Sequence, residues 1–187
     1  MLTVQARANP GELGLHDVML HLWMSVCGDS LVAMRALSAL AGTIAIVLVY
    51  LVAREVLVSD AADNGESAAG QRNLAAAIAT LFFAVNLITI KYSREARMYS
   101  LALMLSLLQV WFFLRALRKA GTADYVGLAA TTGLTFIATF TAGLILVPEG
   151  LFLLLISAQR AGSWPRLMRI GAAVATGLLL VIPSLLL

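Results

Sequence analysis

A series of long apolar stretches separated by short polar segments constrains this sequence more than any other feature. Residues 32–57 are apolar apart from Arg35 near one end and Arg54 with Glu55 near the other. A helix needs about 20 mostly apolar residues to cross a bilayer, so this stretch alone predicts a transmembrane helix. Hydrophobic residues make up 61% of the 187-residue chain and charged residues only 12%, which excludes a water-soluble enzyme. The sequence therefore predicts an all-α integral membrane protein.

About six transmembrane helices are predicted, preceded by an amphipathic juxtamembrane helix. Residues 15–26 mix apolar side chains with His16, Asp17 and His21, and they are too short and too polar to span a bilayer. This mixture is typical of a helix that lies at the membrane surface. Beyond the first span, apolar stretches occur at residues 74–90, 101–114, 125–158 and 167–187, with polar loops at 59–73 and 115–124.

The whole chain is predicted to form one membrane domain, residues 1–187. An external loop and the juxtamembrane helix occupy residues 1–31, and the transmembrane helices occupy residues 32–187. At the boundary, Gly28 can end the juxtamembrane helix, and Asp29 or Ser30 can cap the helix that follows.

Basic residues set the predicted orientation, because Lys and Arg concentrate in cytoplasmic loops. Segments 115–119 and 159–169 are both basic, so an even number of crossings must separate them. Residues 125–158 are therefore predicted to form a hairpin of two short helices, with the sequence TFTAG at 139–143 as its turn. Pro148 can kink the returning arm. The predicted cytoplasmic cations are Arg54, Arg72, Arg115, Arg118, Lys119, Arg160, Arg166 and Arg169.

The segment KYSREARMYS, residues 91–100, departs from this charge rule. It puts Lys91, Arg94 and Arg97 on the predicted non-cytoplasmic face, where cations are normally few. In one interpretation they pair with Glu95 and with lipid head groups. In the other they lie at the start of a helix and, together with the amide groups of its first turn, bind a phosphate that a lipid carries in through the bilayer.

Two stretches resemble the bacterial GT-C membrane glycosyltransferases, which include protein O-mannosyltransferases and lipid A aminoarabinose transferases. They are HDVMLHLWMSVCGDSLVAMRALSALAGTIAIVLVYLVARE and IKYSREARMYSLALMLSLL. In that family a histidine opens the juxtamembrane helix, a G-[DN]-S turn follows, an arginine starts the next helix and a Y-S-x-E-A-R-M-Y motif occupies the next external loop. The matching residues are His16, Gly28 to Ser30, Arg35 and Tyr92 to Tyr99, and the resemblance covers residues 15–187.

The resemblance implies a multi-pass protein of the inner or plasma membrane. Its reaction would transfer a sugar from a polyprenyl-phosphate donor to a lipid, glycan or protein acceptor on the non-cytoplasmic face, with no nucleic-acid partner. By resemblance, Lys91, Arg94, Arg97 and Tyr99 bind the donor and its phosphate, and Glu95 is a catalytic residue that orients Arg97 or the acceptor. The complete enzyme would also use a base, with cations or a divalent metal to stabilise the departing phosphate. No Cys or His spacing in the chain resembles a closed zinc site.

The chain also departs from the family pattern. The family's first transmembrane helix and the acidic motif that supplies the base do not precede the juxtamembrane helix, where the nearby acids are Glu12 and Asp17. A threonine-histidine-tyrosine segment of the family is replaced by Thr139-Phe140-Thr141. These departures predict an incomplete module, so the main alternative function is a non-catalytic membrane subunit or a remnant. A small transporter, with the intramembrane carboxylate of Glu149 on its path, is a further alternative.

Overall fold

The computed structural model of the chain describes residues 15–57, 66–95, 98–159 and 164–182. These residues contain no strand, which confirms the predicted all-α membrane fold. The helices are α1 (Leu15–Cys27), α2 (Leu31–Leu57), α3 (Glu66–Ala84), α4 (Leu87–Arg94), α5 (Tyr99–Arg118), α6 (Thr122–Ala138), a 3-10 helix (Phe140–Ile145), α7 (Leu146–Gln159) and α8 (Trp164–Leu179).

The predicted juxtamembrane helix is α1, and it ends at the predicted glycine. Gly28 has a φ of 83°, a left-handed conformation that glycine adopts without strain. Of the two candidate caps, the Ser30 hydroxyl accepts a hydrogen bond from the Ala33 amide at 3.1 Å. The Trp23 indole donates to the Ala33 carbonyl at 2.8 Å, which ties α1 to the first turn of α2.

Two of the described helices, α2 and α5, are long and apolar enough to cross a membrane singly. The bent pair formed by Ala69–Ala84 and Leu87–Arg94 adds a third crossing if it is counted as one span. Helices α6, α7 and α8 contain 17, 14 and 16 residues. Since an α-helix rises about 1.5 Å per residue, each is shorter than the roughly 30 Å hydrocarbon core. Within the described residues, length and composition alone therefore identify two crossings, or three with the bent pair, of the six predicted.

The predicted continuous span over residues 74–90 is broken at Asn86. The two helices on either side of this residue meet at 58°. Asn86 has an extended backbone, and its side-chain oxygen accepts a hydrogen bond from the Ile88 amide at 2.9 Å. This capping interaction starts a new helix, α4, where the apolar pattern predicts no interruption. The polar loop predicted at 59–73 is also wrong over its last residues, because α3 begins at Glu66.

Helix α6 runs antiparallel to α5 and packs closely on α8. Near its start, Leu128 lies in a core cluster with Phe113, and at its end Ala138 lies in a second cluster with Leu101. A Cβ atom added at Gly177 of α8 would lie 2.8 Å from the Thr132 Cβ. Small residues of this kind allow the backbones of membrane helices to approach closely.

Helix α7 runs parallel to α5 and so returns toward the end where α6 begins. The Gln109 amide donates to the Glu149 carboxylate at 3.2 Å, and the Phe152 and Phe113 rings lie 6.4 Å apart. The earlier residue of α5, Gln109, contacts the earlier residue of α7, Glu149, and the later residues Phe113 and Phe152 also contact each other. This order shows that the two helices are parallel. The chain therefore reverses direction within residues 125–158, and the 3-10 helix covers most of the predicted turn.

Candidate functional site

Charged side chains gather at two opposite ends of the helix bundle. We call one the paired end; it contains the C-terminal turns of α2 and α5 and the first turns of α6 and α8. We call the other the motif end; it contains the last turn of α4, the first turn of α5 and the break between them. Helix α5 begins at the motif end and ends at the paired end, so its 20 residues separate the two ends of the bundle.

An ion pair with a nearly buried carboxylate joins α5 to α6 at the paired end. Arg115 Nε lies 2.6 Å from Asp124 Oδ1, and the Asp124 side chain is 5% exposed. The Arg115 guanidinium also lies 4.6 Å from the centre of the Trp111 ring. A buried carboxylate is stable only when it is paired and hydrogen-bonded, so this contact fixes the start of α6 against α5.

Two weaker contacts join the remaining helices at the paired end. Arg118 Nη1 lies 3.6 Å from Glu55 Oε2, which links α5 to α2. Arg166 donates to the Leu117 carbonyl at 2.9 Å, which links α8 to α5. The arginines in these contacts all belong to the set predicted to be cytoplasmic. The three contacts together join the end of α5 to the end of α2 and to the starts of α6 and α8.

At the motif end, the predicted placement of the cations at the start of a helix is wrong for Lys91 and Arg94. Both lie in the last turn of α4, whereas α5 begins only at Tyr99. The reason is that the helix which begins at Leu87 continues as far as Arg94, beyond the predicted end of the apolar stretch at residue 90. The last turn of a helix is the negative end of the helix dipole, and it stabilises cations. The free amide groups are in the first turn, so Lys91 and Arg94 do not share a site with the free amides of their own helix.

Lys91 and Arg94 are exposed, and no carboxylate of the described residues forms an ion pair with either. Glu95 is half-buried, and its backbone is extended, with φ −88° and ψ 132°. Pairing of Lys91 and Arg94 with Glu95 is therefore not observed. Arg97, the third predicted cation, lies outside the described residues.

Tyr99, the fifth predicted site residue, is the first residue of α5 and contacts Tyr92 in the last turn of α4. Its ring lies 4.8 Å from the Tyr92 ring at an angle of 34°. Next to it, the Ser100 hydroxyl donates to the Tyr92 carbonyl at 2.7 Å. A Cβ atom at Gly42 of α2 would lie 2.9 Å from the Ser93 Cβ, so α4 packs directly on α2 here. Nothing in the sequence singles out Ser100 or Gly42, because each acts through a contact that depends on tertiary packing.

The described residues do not fit the divalent metal that the resemblance implies for a complete enzyme. In the described parts of the chain, no three His, Cys, Asp or Glu side chains are grouped so that they could hold a metal ion. Lys91 and Arg94, both exposed at the motif end, can contact an anion directly.

Comparison with known proteins assigns the family. Residues 69–186 match the family described as dolichyl-phosphate-mannose-protein mannosyltransferase. No curated protein and no solved structure matches. The matched segment contains the complete motif at residues 91–100 and begins after His16 and Arg35. Because it comprises more than half of the 187 residues, the chain belongs to the dolichyl-phosphate-mannose-protein mannosyltransferase family, a group of membrane glycosyltransferases of the GT-C type.

Proposed function

We propose that the motif end binds the phosphate of a polyprenyl-phosphate sugar and that the sugar passes to an acceptor hydroxyl on the non-cytoplasmic face. The observation that carries this proposal is the contrast between the cations of the two ends. Arg115 and Arg118 have carboxylate partners, whereas Lys91 and Arg94 are exposed and form no ion pair with any described carboxylate. Exposed cations beside an apolar bundle can contact a phosphate that arrives within the bilayer.

Each group of the motif end has a role in the proposed transfer. As the bond between the sugar and the phosphate oxygen breaks, negative charge develops on the lipid phosphate, and nearby cations stabilise it. We assign this stabilisation to Lys91, Arg94 and Arg97, and contact with the donor to Tyr99. Arginine is especially suited because its planar guanidinium can hold two phosphate oxygens at once. Glu95 would orient Arg97 or the acceptor.

A non-catalytic membrane subunit of a complete transferase is the second candidate. Glu95 is the only carboxylate in residues 91–100. One carboxylate cannot serve both as the fixed partner of an arginine and as the base that takes the acceptor proton. A subunit would bind the lipid phosphate at the motif end without turning it over. The transporter alternative loses its support, since the family is one of glycosyltransferases and Glu149 is buried against Gln109.

Replacement of Arg97 tests the proposed function. We expect Arg97→Ala to cost about 2–4 kcal/mol of transition-state stabilisation, roughly a 30- to 1,000-fold loss of turnover. Arg97→Lys should restore part of it, because lysine keeps the charge but loses the planar fork. Glu95→Gln should also lower turnover. The measurement is turnover of polyprenyl-phosphate sugar, normalised to membrane-inserted protein.

The matched control is Arg169→Ala, which removes an exposed cation from α8. It should leave the normalised turnover unchanged. Unchanged turnover in Arg97→Ala would defeat the phosphate site. Binding of polyprenyl phosphate by a wild-type chain that shows no turnover would favour the subunit.

A further inference from the structure

We propose that Tyr92, Tyr99 and Ser100 form a clasp that joins the end of α4 to the start of α5 and positions the segment formed by Glu95 and the last turn of α4, which carries Lys91 and Arg94. This role depends on the proposed function, because the segment is positioned for a lipid phosphate. The clasp consists of two contacts that cross the break, one between hydrogen-bonding groups and one between aromatic rings.

The first contact of the clasp is the hydrogen bond from the Ser100 hydroxyl to the Tyr92 carbonyl, at 2.7 Å. Tyr92 is one of the last four residues of α4, whose carbonyl groups have no partner within an α-helix. Ser100 is the second residue of α5 and is 2% exposed. A buried hydroxyl from one helix thus satisfies a carbonyl at the end of the other.

The second contact is the tilted stack of the Tyr92 and Tyr99 rings, whose centres are 4.8 Å apart. Offset and tilted aromatic pairs at this separation are favourable. The two contacts use adjacent residues of α5 and a single residue of α4. They therefore oppose separation of the helix ends more effectively than either contact alone.

The clasp is attached to the rigid part of the bundle. Ser93, next to Tyr92, lies so close to α2 that a Cβ at Gly42 would be 2.9 Å from its Cβ. On the other side, Leu101 follows Ser100 and is buried in the cluster with Ala138. Both ends of the break are thus held by packed helices, whereas Lys91 and Arg94 beside it are exposed.

Holding the end of α4 against the start of α5 reduces the number of conformations available to the last turn of α4. This turn carries Lys91 and Arg94, and Glu95 follows it directly. A site whose charged groups are already ordered loses less conformational entropy when it binds its ligand. We therefore infer that the clasp contributes to discrimination between a lipid phosphate and an uncharged lipid.

A labelling experiment tests whether the clasp holds the break closed. In a chain with Cys27→Ser, which removes the exposed free cysteine, Glu95→Cys provides a reporter directly after the last turn of α4. The rate of reaction with a charged, membrane-impermeant maleimide reports its exposure. Ser100→Ala and Tyr92→Ala should each raise the rate about fivefold, the equivalent of roughly 1 kcal/mol for one lost contact.

Two control variants separate the clasp from a general loss of packing. Tyr92→Phe keeps the ring stack and should restore the slow labelling. Ser106→Ala removes a hydroxyl from a half-buried position on the same helix, and the rate should not change. An unchanged labelling rate in both Ser100→Ala and Tyr92→Ala would overturn the clasp, whatever the chain binds.

A binding experiment on chains that retain Glu95 tests the positioning role. The ratio of affinities for polyprenyl phosphate and for the corresponding polyprenol should fall about fivefold in Ser100→Ala and should recover in Tyr92→Phe relative to Tyr92→Ala. Faster labelling with an unchanged ratio would overturn the positioning role. Equal binding of the two lipids by the wild-type chain would overturn the proposed function instead, while the labelling rates would still report the clasp.

Discussion

The two ends of the bundle use cations in different ways. At the paired end, Arg115 and Arg118 each contact a carboxylate of a neighbouring helix. At the motif end, Lys91 and Arg94 are exposed, and the described residues offer them no carboxylate. Cations of the first kind join helices, because their charge is already compensated within the protein. Cations of the second kind keep their charge available for an anion from outside.

Burial explains why this difference has functional meaning. The Asp124 side chain is almost completely buried, so Arg115 is needed to stabilise a charge that the surrounding protein would otherwise disfavour. No comparable demand exists at the motif end, where Lys91 and Arg94 are exposed. If the motif end lies on the predicted non-cytoplasmic face, where cations are normally few, these exposed cations are available to an anion that is not part of the described chain.

The largest expected effect is the complete separation of the two ends by the membrane. We expect reporter fusions after Lys119 and after Gln159 to report the cytoplasm, and a fusion near Lys91 to report the opposite face. The physical reason is the excess of Lys and Arg in cytoplasmic loops. Fusions after Lys119 and Gln159 on different sides would mean that residues 125–158 cross the membrane once. That result would contradict the placement of the paired end on one face of the membrane and the motif end on the other.

The next effect is the loss of the buried ion pair at the paired end. Asp124→Asn should lower the free energy of unfolding by about 2–4 kcal/mol, slightly less than for a fully buried pair because the Arg115 side chain is 28% exposed. Thermal unfolding in detergent measures this change. Asp17→Asn, in the first turn of α1, is the control and should be close to neutral. A neutral Asp124→Asn would contradict the structural role of the paired end.

The smallest effect concerns the second ion pair of the same end. The distance between Arg118 and Glu55 is 3.6 Å, and their side chains are 27% and 19% exposed. Pairs of this kind contribute little, so Glu55→Gln should lower the free energy of unfolding by about 0–1 kcal/mol. The same thermal unfolding assay applies. A loss as large as that of Asp124→Asn would show that the longer pair is equally important.

The main helices could be predicted from the sequence because lipid imposes a simple rule. A long apolar stretch must satisfy its backbone hydrogen bonds internally, and a helix does so. This rule identified α2 and α5. It could not identify the break at Asn86, since apolar residues lie on both sides of it and hydropathy does not report where the backbone leaves the helix. The capping preference of asparagine is the only local signal there.

The candidate site could be predicted in part. The charge rule singled out Lys91, Arg94 and Arg97, because it depends only on loop composition. The geometry around them depends on contacts between distant or adjacent helices, such as the close approach of Gly42 to Ser93. Another example is the bond between Gln109 and Glu149, which are 40 residues apart in sequence. Contacts of this kind are determined by tertiary packing and leave no periodic signal in one sequence.

The most direct test compares two double variants in two assays. Lys91→Gln with Arg94→Gln removes the described cations of the motif end, and Arg115→Gln with Arg118→Gln removes the two cations that pair with carboxylates at the paired end. The measurement is the ratio of affinities for polyprenyl phosphate and polyprenol, with thermal unfolding recorded in the same micelles. We predict that the motif-end variant loses about tenfold or more of the phosphate preference with unchanged stability, and that the paired-end variant loses stability with unchanged preference. An unchanged phosphate preference in the motif-end variant would contradict the account.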